Sequence, residues 1–201
     1  MSFRYTLSAP SASSFRHAAL ALLALCASVA AHAHTTGHVT SFVQGLLHPM
    51  TGMDHLAAFL TVGMWSALGA KRWWLAPAVF IASLMGAATL APLPIMASAT
   101  EPMVAASLLV LGLLMATSAR LPAGLGLALI AGFGCFHGLA HGVELSGNAS
   151  LGGILLGSLG IHALGLGLGL AMRERSLWLP RSVGASIALI GLATGWTLLA
   201  A

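Results

Sequence analysis

The chain is 201 residues long, 58% hydrophobic and only 6% charged, with a mean hydropathy of +0.96. A water-exposed globular domain carries about 25% charged residues, so that class is excluded and an all-α integral membrane protein is indicated. The net charge of +4 does not point to nucleic acid, because most of the Lys and Arg stand in short gaps between apolar runs, where membrane topology accounts for them.

In chain order, the first segment reads as a targeting signal. Arg4 and Arg16 flank a Ser-rich start, an apolar run follows from Ala18 to Ala31, and Ala31-His32-Ala33 has the small-x-small form of a signal-peptidase site. The alternative, an uncleaved first transmembrane helix, suffers from a run well short of the roughly 20 residues that a span takes. Residues 1–33 are therefore assigned to a signal peptide and 34–201 to the mature domain, starting at His34. Cys26 would leave with the signal, and Cys135 alone cannot form an internal disulfide.

The mature chain opens on a polar stretch and a short segment, Ser41 to His48, that Pro49 is expected to stop, since proline lacks the amide N–H and its ring clashes with the preceding turn. Six long apolar segments follow: roughly Met50 to Gly69, Trp73 to Ala91, Pro102 to Ser118, Pro122 to Gly142, Leu151 to Met172 and Arg181 to Ala200. These predict six transmembrane helices. With His34 outside, Lys71, Arg72, Arg120, Arg173, Arg175 and Arg181 all fall inside, whereas the loops around Pro94 and Asn148 carry no basic residue, as the positive-inside rule requires. Both termini then lie outside. The spacings Gly134/Gly138/Gly142, Gly153/Gly157, Gly165/Gly169 and Gly191/Gly195 read as ridges for close helix packing. Trp65, Trp73, Trp74 and Trp178 read as interface anchors or packing residues, and Cys135 as a small apolar packing residue.

Ionisable groups inside a bilayer cost several kcal/mol and call for a partner or a task. Here they cluster at His48-Pro49-Met50-Thr51-Gly52-Met53-Asp54-His55 and at Phe136-His137-Gly138-Leu139-Ala140-His141-Gly142-Val143-Glu144. In the second cluster His137, His141 and Glu144 are i, i+4 and i+7, which places them on one face of a helix with about 3.6 residues per turn. Two histidines so spaced offer two ligands to a divalent transition metal from one rigid element, and imidazole suits Ni, Co, Zn and Cu. Asp54 and His55 project about 100° apart, so one can ligate while the other orients it. Four His and two acids in the outer half of the membrane argue against accidental packing. His162, alone in mid-helix, reads equally as an interhelical hydrogen-bonding residue. Glu101 has a solvated helix-terminal carboxylate as its plain explanation, and a flexible polar tail explains His34 and His38.

His48-Pro49-x-x-Gly52-x-Asp54-His55 and Phe136-His137-Gly138-x-Ala140-His141-Gly142-x-Glu144 resemble the two signatures of the HupE/UreJ family of nickel and cobalt permeases. The resemblance covers the whole mature chain. It implies uptake of Ni(II) or Co(II) as transported substrate across a bacterial inner membrane, with both termini periplasmic and no permanently bound cofactor, commonly to supply hydrogenase or urease maturation. It also implies His48, Asp54, His55, His137, His141 and Glu144 as the metal-handling residues, on the first and fourth helices. The sequence holds no GxxxxGK[ST] phosphate loop and no soluble domain for ATP hydrolysis. A competing class is an intramembrane metalloenzyme, with His55, His137 and His141 on the metal and Glu144 or Asp54 as general base. A sensor or assembly subunit is the third class, for which no output domain is found.

Overall fold

A computed structural model describes residues 39–69, 71–90, 97–145, 147–175 and 178–200. The expected signal peptide with Cys26, the tail residues His34 and His38, and the loop at Pro94 lie outside these. Seven helices make up the described chain: α1 Phe42–Thr51, α2 Met53–Gly69, α3 Leu75–Leu90, α4 Ala97–Ala116, α5 Ala123–Glu144, α6 Asn148–Arg175 and α7 Trp178–Ala200. Each of the six long apolar segments is a helix, with ends shifted by a few residues.

The short first helix is capped reciprocally. Ser41 Oγ accepts from the Gln44 amide and Gln44 Oε1 accepts from the Ser41 amide, both at 3.1 Å, which satisfies two of the N–H groups that a helix start leaves over. Pro49 does not stop this helix as expected. It stands in the last turn, where the lack of its N–H leaves the Gly45 carbonyl without that bond but does not end the helix, and Thr51 Oγ1 donates to the His48 carbonyl at 2.7 Å. The break comes at Gly52, whose backbone is extended (φ −88°, ψ 114°), so α1 and α2 are separate helices.

Four stretches are long and apolar enough to cross a membrane: Ser98–Ala116, Ala123–Glu144, Asn148–Arg173 and Trp178–Ala200. Helices α2 and α3 are shorter, at 17 and 16 residues. The bundle is apolar outside as well as inside: Leu125, Val143, Leu164, Leu189 and Leu199 are exposed around a core of Phe59, Phe80, Leu84, Leu108, Leu111 and Ile130. An outward apolar surface on this scale marks contact with lipid rather than water. Trp73, Trp74 and Trp178 are exposed, at the end of the bundle where Lys71, Arg120 and Arg173 line a cavity of about 370 Å³.

The helices pair as α1 and α2 on α6, α3 on α5, and α4 on α7. Glycine makes these approaches possible: a Cβ at Gly138 of α5 would overlap the Leu84 carbonyl oxygen of α3, one at Gly63 of α2 would meet the His162 carbonyl oxygen of α6 at 2.5 Å, and one at Gly184 of α7 would overlap the Ala116 amide of α4. Gly195 faces open space, so the expected Gly191/Gly195 ridge is one residue deep. Cys135 is exposed and faces away from the helix contacts rather than packing between them.

Candidate metal centre

The site lies where α1, α2 and α5 meet. Val39 donates its amide to the Glu144 carbonyl at 2.9 Å, which ties the chain ahead of α1 to the end of α5. Across that junction His48 Nε2 and Glu144 Oε2 lie 2.8 Å apart, an interaction between residues far apart in sequence. Since an ionised carboxylate can only accept, the imidazole N–H donates. His48, His141 and Glu144 each offer one ligand atom, all within 4.8 Å of one another. Glu144 is the most open of the three, its side chain 37% exposed against 12% for His48.

A second group lies deeper. The His141 ring is 4.3 Å from that of His55 and 5.0 Å from that of His48, and His55 is 4.9 Å from His137. His141 therefore belongs to both groups. His55 Nδ1 and the His55 backbone amide both bond Asp54 Oδ1, at 2.9 and 2.8 Å. The carboxylate sits in the first turn of α2, where the positive end of the helix dipole favours it. With Nδ1 donating, the neutral ring carries its lone pair on Nε2. The bond fixes the orientation of the His55 ring and leaves Nε2 as its free lone pair. Gly52 leaves room for the pair, since a Cβ there would stand 3.0 Å from Asp54 Oδ1 and 3.2 Å from His55 Nδ1.

His137 is oriented by a residue that sequence reading missed. Ser107 of α4 gives its hydroxyl proton to the Val104 carbonyl at 2.6 Å, so its oxygen accepts from His137 Nε2 at 3.0 Å. The lone pair of His137 is then on Nδ1. His55 Nε2, His137 Nδ1 and both ring nitrogens of His141 are buried and have no protein hydrogen-bond partner among the described residues. Buried polar groups are nearly always paired, so neighbouring imidazoles whose lone pairs meet no donor, beside the His48, His141 and Glu144 atoms that lie within reach of one ion, are an arrangement that a cation would complete.

A family model described as HupE / UreJ protein matches residues 20–194. The chain belongs to the HupE/UreJ family. Over 178 residues it is 33% identical to Protein HupE of Rhizobium leguminosarum bv. viciae, covering 86% of this chain and 93% of that relative. No solved structure matches the chain significantly. This HupE/UreJ protein is an all-α, multi-pass membrane protein whose two family-like motifs meet in space. All six sequence-predicted residues converge, although His48 arrives on α1, a helix of its own. Besides Ser107, the sequence reading also missed Phe59 and Phe80. Their rings lie 5.5 and 5.3 Å from His137 and close the inner side of the cluster. A serine in a leucine-rich segment and a phenylalanine in an apolar helix carry no signal that separates them from ordinary packing.

Proposed function

We infer that this protein is a secondary transporter that brings Ni(II), with Co(II) as a second substrate, into the cell across the bacterial inner membrane. The observation that carries the reading is a run of neighbouring histidines and carboxylates inside a membrane bundle, in which His48, His141 and Glu144 lie near enough to share one ion and the lone pairs of the inner rings are unpaired. An all-nitrogen and oxygen donor set of this kind suits borderline divalent metals. The Rhizobium relative and the family assignment support metal transport. In this reading the mature chain starts at His34, crosses the membrane six times with α2 to α7, and keeps both termini periplasmic.

Glu144 and His48, at the more open end, replace part of the ion's hydration shell and supply the first charge and the first imidazole. His141, shared by both groups, passes the ion to His55 and His137. Asp54 offsets part of its charge and holds the His55 ring in the ligating tautomer. Each step exchanges one or two ligands, so no position binds too tightly for release. The membrane potential drives the flux: an elementary charge gains about 2.3 kcal/mol per 100 mV, hence a dication about 4.6 kcal/mol. Uptake of radiolabelled Ni(II) and Co(II), with Zn(II) as competitor, into cells with and without the chain tests the reading. Chain-dependent accumulation of Ni(II) is expected; equal accumulation in both cell lines refutes it.

A further inference from the structure

One buried histidine stands outside both groups. His162, in the middle of α6, is 1% exposed. Its Nδ1 lies 2.8 Å from the Ser158 carbonyl oxygen. A carbonyl only accepts, so Nδ1 carries the proton and the neutral ring's lone pair is on Nε2. That Nε2 is buried without a protein partner among the described residues, as is Ser158 Oγ one turn away on the same helix. A histidine kept only for helix packing would be expected to place its second nitrogen against a donor, because a buried unpaired polar group is costly.

The position of His162 supplies the reason for keeping it. Phe59 of α2 and Phe80 of α3 stand between it and the cluster. The Phe59 ring is 5.5 Å from His137 and stacks on His162 at 5.3 Å; the Phe80 ring is 5.3 Å from His137 and 5.2 Å from His162. The helix register fixes the direction. Gly138 packs on Leu84, Gly134 packs on Phe80 one turn further along α5, and Gly63, two turns beyond His55 on α2, packs on the His162 backbone. The order from the Glu144 end is therefore His48, His141 with His55, His137, the Phe59/Phe80 pair, and then His162. Two aromatic rings between two polar stations form a hydrophobic constriction of the kind that gates by excluding water, and their faces tolerate a passing cation.

We propose that His162 Nε2 is a receiving ligand for the divalent metal ion, on the inner side of a gate made by Phe59 and Phe80, and takes the ion from His137 when these rings swing aside. The proposal rests on the transport reading above and adds to it a second metal position separated from the entry cluster. It makes His162 necessary for turnover and dispensable for capture.

The test separates the two. Ni(II) binding to purified protein in lipid nanodiscs is measured by equilibrium dialysis, and Ni(II) uptake is measured in cells at matched protein amounts, for wild type, His162→Phe, His162→Gln and His162→Cys. The Phe and Gln variants should bind Ni(II) at the entry cluster within about twofold of wild-type affinity, while uptake at saturating Ni(II) falls by at least about tenfold. His162→Cys, which restores a ligand atom at the same depth, should recover a large share of that uptake. Should His162→Phe fail to reach the membrane, the Gln and Cys variants decide between themselves. Uptake within about twofold of wild type in the Gln variant overturns the proposal. So does equal loss in the Gln and Cys variants with entry-cluster binding intact, which would make His162 a packing residue. Wild-type protein that neither binds nor moves Ni(II) or Co(II) would instead refute the transport reading itself.

Discussion

His141 is the ring on which the account turns, and replacing it with leucine separates ligation from packing. Leucine has a similar volume, so the substitution leaves little cavity. It removes two ring nitrogens that are buried at 1% exposure and unpaired within the protein. Each buried unpaired polar group costs about 1–3 kcal/mol, so the two nitrogens together cost about 2–6 kcal/mol and metal-free His141→Leu should be at least as stable as wild type. The same change removes the ligand common to the His48/Glu144 and His55/His137 groups. Loss of a group merely behind a ligand weakens metal binding about 10–100-fold, so loss of the ligand itself should exceed about 100-fold, or about 2.7 kcal/mol. Unfolding of the nanodisc-embedded protein with and without Ni(II) reads both effects. Wild type should gain about 2.7 kcal/mol at a metal concentration 100 times its Kd, and the variant almost nothing. A variant that unfolds more easily without metal, yet is stabilised by Ni(II) as much as wild type, would refute the reasoning and make His141 a structural residue.

Asp54→Asn keeps the shape but weakens the bond that orients His55, and should lower Ni(II) affinity about 10–100-fold in equilibrium dialysis, with protein amount unchanged. Uptake should fall as external pH is lowered, because protons compete with the metal for the same imidazole nitrogens; a steady rise between about pH 7 and about pH 5 would indicate proton symport instead. Gly138→Leu drives a side chain into the Leu84 backbone and should reduce the amount of folded protein in the membrane. Cys135→Ser, three residues away on the outward face of the same helix, should leave both amount and uptake unchanged, as quantitative immunoblotting beside the uptake assay will show.

The helices were legible because apolar runs of near-bilayer length separate polar gaps, and every one of the six long runs is helical. Pro49 misled because an interior proline removes one hydrogen bond and need not end the helix; Gly52, with its extended backbone, makes the actual break. The i, i+4, i+7 spacing of His137, His141 and Glu144 placed them on one side of α5, and His137 and His141 are indeed buried together. Spacing alone could not place His48 against Glu144, because that contact depends on how α1 docks beside the end of α5. Nor could it show that Asp54 and His55 pair with each other, which the hydrogen bond to His55 Nδ1 does. Ser107, Phe59 and Phe80 were illegible for a simpler reason, since their residue types are ordinary in membrane helices and only their neighbours distinguish them.

The most direct measurement uses purified protein in liposomes that enclose a Ni(II)-quenched fluorophore, with a potassium diffusion potential imposed across the membrane. With the interior negative, external Ni(II) should quench the dye faster than at zero potential, and reconstituted His55→Ala/His141→Ala protein should leave quenching at the rate of protein-free liposomes. Quenching by wild-type protein no faster than in protein-free liposomes, at either potential, would contradict the claim that this chain alone conducts the metal through its histidine cluster.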